Sequence, residues 1–395
     1  MTHNFDREIN RRNTNSYKWD QSEKLFGSSD IVPLWVADMD FEGPPAVKAA
    51  LEKRASLGVY GYTIKSEDYY KAITSWFQRR HHWTIQPEWI SDSPGIVTSL
   101  SLAVDLFSEP GSQVILQSPV YYPFYDVIKD NGRVVAKNPL LLQNGRYEMD
   151  YAHLEELMQG GAKLLLLCNP HNPGGRVWTR EDLERLGELI LKHGVTVISD
   201  EIHCDMTFEG HPYTPFASLS KEIANLTVTL LAPSKTFNMP SLHASFAVSS
   251  NPEFKRTFDK RLKTLSLHMT NFFVPCAVEA AFNEGDAWLD ELIPYIYGNM
   301  EYASNYLSEH LPEVKPMRPE GTYLLWIDCR GLGLDVKQLK ALMFEQAKVA
   351  FSEGSVFGTE AQGYLRINLA CTRRTLQDAL EKFCRAAAAV RQGQV

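Results

Sequence analysis

The stretch AKLLLLCNPHNPGGRVWTREDLERLGELILKHGVTVISDEIH, residues 162–203, contains the strand and helix signals that indicate the fold class. Two aliphatic runs in it flank an amphipathic segment. Thr179 and Asp182 form a helix-capping pattern at the start of that segment, and Gly194 closes it. Aliphatic runs that end in polar residues are typical of strands buried on both faces of a parallel sheet. The stretch therefore predicts one strand–helix–strand unit.

The same alternation continues on both sides of this unit. Further buried strands are predicted in GSQVILQSP, residues 111–119, and in LTVTLLAPSK, residues 226–235. Because such runs alternate with amphipathic stretches, we predict an α/β domain with a parallel sheet over residues 46–285. Beyond it, a long helical stretch, the runs TYLLWIDC and GYLRINLAC, and a final helix from Thr375 predict a smaller α+β domain over residues 286–395. Residues 1–45 show no clear periodicity and are predicted to join the small domain.

Composition and charge exclude several classes of protein. The chain has 395 residues and a formal net charge of −8, with no cluster of Lys and Arg, which argues against a nucleic-acid binder. Its polar start lacks the apolar segment of a secretory signal or a membrane anchor, so we predict a cytoplasmic protein. The six cysteines include no CxxC pair, and neither His81 nor His82 has a cysteine or carboxylate at ligand spacing. We therefore predict reduced thiols, no metal site, and a solvated helix end at the two histidines.

Polar residues follow three of the predicted strands. They are Asn172 in CNPHNPGG, Asp200 in SDEIH and Lys235 in APSK. In an open parallel sheet the ligand lies beyond the carboxyl ends of the strands, so we expect the three residues to meet. A pyridoxal phosphate (PLP) site requires an amine that binds the cofactor as a Schiff base and an acid that pairs with the ring nitrogen. A solvated Lys and a helix-capping Asp are each commoner singly, but their combination favours a PLP site.

Motifs along nearly the whole chain carry a resemblance to a known family. They are SYKWD (16–20), PLWVADMDF (33–41), YGYT (60–63), SPGIVTSL (93–100), SPVYYPFY (118–125), CNPHNPGGRVW (168–178), SDEIHCDM (199–206), APSKTFN (232–238) and GYLRIN (363–368). The chain resembles the fold-type-I PLP enzymes of the aspartate aminotransferase superfamily and, within them, the cystathionine β-lyase-like carbon–sulfur lyases. The resemblance implies pyridoxal 5'-phosphate as cofactor. It also implies a mostly parallel, seven-stranded central sheet with flanking helices, plus the smaller α+β domain.

The resemblance assigns roles around the cofactor ring. Lys235 and Tyr121 become the catalytic residues, with Tyr121 stacked on the ring; from the sequence alone, a core aromatic residue is the commoner reading of such a Tyr. Asp200 pairs with the ring nitrogen, and Asn172 donates a hydrogen bond to the ring 3-oxygen. His203 lies near the place where aminotransferases use a Tyr.

A second group of residues is assigned to the cofactor phosphate. The backbone N–H groups of Ile96 and Val97 open a helix, where the first amides lack internal partners and bind anions. Ser234 adds a hydroxyl. Tyr62 of YGYT is assigned to the phosphate of a neighbouring subunit, with Tyr60 as the alternative, which implies a homodimer with a shared active site.

The substrate side of the site is assigned to Arg366, Val36 and Ala37. The guanidinium of Arg366 matches an α-carboxylate through two parallel hydrogen bonds, and the backbone of Val36 and Ala37 contacts the same carboxylate. For Arg366 a surface ion pair is the alternative.

Three positions depart from the family pattern. His243 stands where related aminotransferases place a phosphate-binding Arg, which predicts a weaker electrostatic hold on the phosphate. Pro240 and Leu369 also differ from the lyase motifs. We expect these two residues to reshape the substrate side of the pocket.

The resemblance implies β-elimination from L-cysteine thioethers, such as cystathionine or other cysteine S-conjugates, to a thiol, pyruvate and ammonia. A PLP-dependent aminotransferase is the alternative, because both reactions begin with loss of the same α-proton and residue spacing does not separate them. A third possibility is a regulatory protein that binds a transcription factor and retains a PLP site.

Overall fold

The central sheet contains the strands that end in the predicted site residues. The computed structural model of the chain describes residues 3–391. Its strands are β1 (Val32–Pro33), β2 (Ile90–Ser93), β3 (Gln113–Ser118), β4 (Val134–Pro139), β5 (Leu141–Gln143), β6 (Arg146–Glu148), β7 (Leu164–Cys168), β8 (Thr196–Asp200), β9 (Thr227–Leu231), β10 (Ser245–Val248), β11 (Lys315–Met317), β12 (Leu324–Asp328), β13 (Val349–Ala350), β14 (Ser352–Glu353) and β15 (Tyr364–Asn368). Seven form the central sheet in the order β2-β10-β9-β8-β7-β3-β4, and only the pairs that involve β10 are antiparallel. The expected mostly parallel, seven-stranded sheet is confirmed.

The predicted strand–helix–strand unit is also confirmed. The α-helices are α1 (Tyr17–Asp20), α2 (Ser22–Phe26), α3 (Pro45–Ala55), α4 (Glu67–His81), α5 (Ile96–Phe107), α6 (Pro123–Asp130), α7 (Tyr151–Gln159), α8 (Arg180–His193), α9 (Lys221–Asn225), α10 (Pro233–Thr236), α11 (Pro252–Thr264), α12 (Val274–Glu284), α13 (Asp286–His310), α14 (Val336–Ala341) and α15 (Arg373–Arg391). Helix α8 connects β7 to the parallel strand β8. Thr179 and Asp182 form a reciprocal capping box at its start, and Gly194 ends it with φ 60°.

Both faces of the central sheet are buried. Leu164 and Leu166 of β7 belong to a hydrophobic core that includes residues of α5 and α6. Leu165 and Leu167 belong to a second core with residues of α7 and α8. Because successive side chains of a strand point to opposite faces, an uninterrupted aliphatic run supplies both cores.

The C-terminal part of the chain forms a second, antiparallel sheet in the order β11-β12-β15-β14. Strand β1 pairs in parallel with β13, so the N-terminal segment is hydrogen-bonded to this part of the chain. Helix α15 begins at Arg373 rather than at the predicted Thr375, because Oγ1 of Thr372 accepts the N–H of Thr375 and caps the helix earlier. The division at residues 45 and 285 stays a prediction. Between residues 3 and 391, no helix combines the length and apolarity that crossing a membrane requires.

The expected solvated helix end at His81 and His82 is wrong for His81. His82 has a left-handed backbone (φ 52°) and ends α4. The imidazole of His81 is buried instead, with Nε2 2.7 Å from a carboxylate oxygen of Asp205. The Sγ atom of Cys204 lies within 4.8 Å of both side chains. Asp205 also accepts a hydrogen bond from Oγ1 of Thr236 at 2.6 Å. Asp205 is remote from His81 in sequence, so only the fold reveals this network.

Candidate active site

The polar segments after β7, β8 and β9 meet at one edge of the central sheet. Cys168 pairs with Asp200 across the sheet, and Asp200 pairs with Leu230, so the three segments lie side by side. A cavity of about 160 Å³ lies among them. The predicted site residues that line it are Ala37, Ile96, Val97, Tyr121, Asn172, Asp200, His203, Ser234 and Lys235.

The amine of Lys235 faces this cavity. Lys235 lies in α10, shortly after β9, and its Nζ donates a hydrogen bond to the carbonyl oxygen of Ala37 at 2.5 Å. Burial lowers the pKa of the amine to about 8, although the carboxylates of Asp38 and Asp200 act in the opposite direction. A lowered pKa leaves a larger fraction of the amine neutral near pH 7, which is the form that acts as nucleophile and base.

The carboxyl group of Asp200 lies at the end of β8 and is almost fully buried. Its Oδ1 accepts the N–H of Ile202 at 3.2 Å. Burial raises the pKa of Asp200 to about 7, and the nearby Lys235 only partly offsets this. A cationic ring nitrogen placed beside this carboxyl group would favour its ionised form.

Tyr121, Asn172 and His203 surround the same cavity. The backbone N–H of Tyr121 donates to the carbonyl oxygen of Asn172 at 3.0 Å, which joins the segment after β3 to the segment after β7. Burial raises the pKa of the Tyr121 hydroxyl well above its usual range. Burial lowers the pKa of His203 to about 3, so its ring is neutral, and its buried Nδ1 has no hydrogen-bond partner in the described part of the chain.

Helix α5 points its N-terminus at this cavity. Ile96 and Val97 are its first two residues, as predicted, and they follow Gly95 (φ 144°). The first N–H groups of a helix have no acceptor within the helix, so they are available to an anion. Gly95 is held in place because its own N–H donates to Oγ of Ser245 at 2.8 Å. His243 also lines the cavity, and its Nδ1 lies 3.2 Å from the carbonyl oxygen of Pro94.

Arg366 lies on β15, across the cleft from the central sheet, and its side chain is buried. Its Nη1 donates to Oδ1 of Asn172 at 2.9 Å, and its Nη2 donates to the carbonyl oxygen of Trp35 at 2.9 Å and to Oγ of Ser352 at 3.2 Å. Burial lowers the pKa of Arg366 to about 10. Within residues 3–391 the acceptors of this guanidinium are an amide, a carbonyl and a hydroxyl oxygen rather than a carboxylate, and its buried Nε has no partner. The surface ion pair considered as the alternative is therefore wrong.

Similarity to known proteins identifies the family of this chain. Residues 29–383 match the family described as Aminotransferase class I and II. The chain belongs to this family. It is 47% identical over 381 residues to the cystathionine beta-lyase PatB of Bacillus subtilis, covering 96% of this chain and 98% of that protein.

Two solved structures resemble the chain closely along their full length. Cystalysin from Treponema denticola, which contains pyridoxal 5'-phosphate, superposes with a TM-score of 0.95 at 36% identity, covering 99% of this chain and 100% of that one. The PLP-bound C-S lyase from Staphylococcus hominis superposes with a TM-score of 0.90 at 30% identity, covering 98% of each chain. The predicted membership of the class I and II aminotransferase family, and the fold it implies, are confirmed.

Sequence reasoning missed two residues, Asn368 and Tyr323, that hold the backbone of the predicted residues Val36 and Ala37. The carbonyl oxygens of Val36 and Ala37 are already acceptors, because Nδ2 of Asn368 donates to the first at 2.6 Å and the hydroxyl of Tyr323 to the second at 3.0 Å. Asn368 lies two residues after Arg366 in GYLRIN, so that motif contained a signal for it. Tyr323 precedes β12 and had no such signal.

Two of the named residues do not line the cavity of their own chain. Tyr62 is 95% exposed, and because it is assigned to the phosphate of a neighbouring subunit, that assignment stays a prediction. Leu369 is fully buried in the core, and its backbone N–H donates a hydrogen bond to the backbone carbonyl oxygen of Tyr323 at 2.8 Å. Leu369 therefore does not reshape the pocket as a lining residue, whereas Pro240 and His243 both line the cavity.

Proposed function

We propose that this chain is a PLP-dependent carbon–sulfur β-lyase that cleaves L-cysteine thioethers, cystathionine among them, to a thiol, pyruvate and ammonia. The observation that carries the proposal is that the amine of Lys235 and the buried guanidinium of Arg366, which has no carboxylate partner among the described residues, line the same cleft. An α-amino acid has the amine and the carboxylate that these two residues recognise. The similarity to a cystathionine beta-lyase favours elimination over transamination.

The residues around the cavity fit PLP. The open N-terminus of α5, with Ile96, Val97 and the Ser234 hydroxyl, suits the phosphate dianion. Asp200 would pair with the ring nitrogen, and Tyr121 would cover the ring. The side-chain amide of Asn172 has its oxygen occupied by Arg366, so its Nδ2 is the group left to donate to the ring 3-oxygen.

Each side chain then has a definite task in the reaction. Bound PLP supplies a ring that accepts the electron pair left on Cα when its proton departs. Arg366 binds the substrate carboxylate through two N–H groups and orients the Cα–H bond, and the Nζ of Lys235 accepts the proton. Asp200 keeps the ring nitrogen protonated by remaining ionised beside it.

The atoms of the overall reaction balance with one water. After the α-proton has moved to Lys235, the Cβ–S bond breaks and its electron pair leaves with sulfur, which takes up a proton and becomes the thiol. The three-carbon enamine that remains reacts with water and gives pyruvate and ammonia. One thioether and one water therefore yield one thiol, one pyruvate and one ammonia.

We further propose a homodimer in which Tyr62 reaches the cofactor phosphate of the neighbouring subunit. Residues around it are apolar and exposed: Val59 is 72%, Tyr60 66% and Ile64 84% accessible. An exposed apolar segment of this kind is typical of an interface. The ring of Tyr60 packs against that of Phe272 in the same chain, with 5.7 Å between centroids. Of the two candidate tyrosines, Tyr62 is therefore the better placed to contact a neighbouring subunit. Light scattering should give the mass of a dimer, and Tyr62→Phe should weaken PLP binding.

A cytoplasmic location is part of the same proposal, supported by the six unpaired cysteines. A regulatory protein partner stays a prediction.

The purified holoenzyme tests the activity directly. With L-cystathionine, we expect thiol and pyruvate in equal amounts. Glutamate that forms only when an amino donor and 2-oxoglutarate are supplied, without thiol, would identify an aminotransferase and overturn the proposal. The absence of both products would favour a regulatory protein.

The cofactor assignment is tested through Lys235. Lys235→Ala should no longer retain PLP through a bond that borohydride reduces, as measured by mass spectrometry of the treated protein. Lys221→Ala is the matched control, because Lys221 is an exposed lysine at the start of α9. Retention of a reducible link in Lys235→Ala would show that another amine binds the cofactor.

A further inference from the structure

A second, larger cleft of about 890 Å³ opens outward from the cofactor cavity. Lys235, Arg366 and Ala37 lie at its inner end, so the reacting part of a substrate and the cleft are continuous. Eight of the 24 residues that line the cleft are aromatic, whereas aromatic residues make up 11% of the chain. The aromatic enrichment is therefore part of a cleft that begins at Lys235 and Arg366.

Four rings form a connected wall on one side of this cleft. The ring centroid of Trp35 is 5.3 Å from that of Tyr17 and 5.4 Å from that of Phe26, which in turn is 4.7 Å from that of Phe344. We call these four residues the aromatic wall. Trp35 connects the wall to the inner end of the cleft, because its carbonyl oxygen accepts a hydrogen bond from Arg366. A substrate whose carboxylate binds Arg366 therefore lies next to the wall.

Two of the three lysines in the outer part of the cleft form ion pairs within the protein. Nζ of Lys137 lies 3.6 Å from a carboxylate oxygen of Glu360, and Nζ of Lys340 lies 3.7 Å from one of Glu353. Lys129 lies over the ring of Tyr125, at 6.0 Å. A charged leaving group would therefore compete with these interactions and with water, whereas an apolar group gains contact area on the rings without losing hydration of a charge.

We infer that the aromatic wall is a binding subsite for the sulfur substituent, and that the substrates are cysteine thioethers with an aromatic or bulky apolar group on sulfur. This inference rests on the proposed lyase function. Cystathionine would bring an ammonium and a second carboxylate to the wall. S-benzyl-L-cysteine, of similar size, brings an uncharged ring that packs against Phe344 and Phe26.

Binding without turnover isolates the subsite. The probes are 3-(benzylthio)propanoate and 3-(methylthio)propanoate, which keep the carboxylate for Arg366 but lack the α-amine that the reaction requires. Calorimetry on the holoenzyme should show the benzyl compound binding at least about tenfold more tightly, the scale of one well-placed apolar group. Phe344→Ala should reduce this ratio below about threefold. Phe26→Ala should do the same, and it provides the test if the first variant does not fold.

Phe107→Ala is the matched control, because Phe107 packs against Phe254 at 4.6 Å, outside the cleft, and its loss should leave the ratio unchanged. Equal binding of the two probes, or a ratio that survives both wall variants, would overturn the inference.

Turnover separates this inference from the proposed function. We expect kcat/KM for S-benzyl-L-cysteine to exceed that for L-cystathionine by at least about tenfold. Preferred cleavage of cystathionine would overturn the inference and leave the lyase intact. No thiol from any thioether, with the probe ratio preserved, would overturn the lyase and leave an aromatic binding site.

Discussion

Replacing Asp200 by Asn should stabilise the cofactor-free protein and impair the enzyme. The folded protein holds the Asp200 proton up to a pKa of about 7, whereas the ordinary value is 3.8. Between these values the folded state binds more protons than the unfolded state, so the free energy of unfolding falls as the pH rises and the loss is complete above about pH 7. At about 1.4 kcal/mol per pH unit, ionisation of Asp200 in the folded protein lowers the free energy of unfolding by up to about 4 kcal/mol.

Asn removes this cost while keeping the local hydrogen bond, because its side-chain oxygen also accepts the N–H of Ile202. Urea unfolding of the apoprotein at about pH 8 should show Asp200→Asn to be more stable than the wild type by about 2–4 kcal/mol. The difference should fall by more than half at about pH 5, where Asp200 is protonated in the folded wild type. Lyase activity should fall by about 10²–10³-fold, because a neutral amide does not hold a proton on the ring nitrogen.

Glu188→Gln is the control, because Glu188 is an exposed carboxylate on α8. Its replacement should leave the free energy of unfolding and the lyase activity nearly unchanged. An Asp200→Asn apoprotein that is no more stable than the wild type at about pH 8 would refute the argument that burial raises this pKa. Full activity of the variant would refute the role of the carboxylate.

Three further outcomes are expected. Arg366→Lys should lower kcat/KM for cysteine thioethers by about 10–100-fold, because an ammonium does not form two parallel hydrogen bonds to a carboxylate; in binding assays an S-substituted cysteamine, which lacks that carboxylate, should not distinguish the variant from the wild type. His243→Arg should tighten PLP binding by about tenfold through the added fixed charge beside the phosphate, and an equal gain for pyridoxal, which has no phosphate, would contradict this placement. Thr179→Ala should lower the free energy of unfolding in urea by about 1 kcal/mol, because the N-terminal cap of α8 is lost. Thr179→Ser should keep most of that stability.

Local signals account for the predictions of secondary structure that the structure confirms. The aliphatic run of β7 and the capping box of α8 act over a few neighbouring residues, so the sequence contains all the information they require. The start of α15 was misplaced because Thr372, three residues before Thr375, caps the helix instead. The burial of His81 has no local signal, because its partner, Asp205, is more than a hundred residues away in the sequence.

Local patterns are sufficient to show that an amide, an acid and an amine follow three strands, and the motifs around Asn172, Asp200 and Lys235 indicate a PLP site. The chemical behaviour of those groups depends on the packed fold. Burial brings the pKa of Asp200 and that of Lys235 near neutrality, although their attraction for each other acts in the opposite direction, and β15 places the buried guanidinium of Arg366 across the cleft. Trp35 and Phe344, from opposite ends of the chain, meet beside it through Phe26. Desolvation and contacts between distant residues depend on the packed fold, which local sequence patterns do not specify.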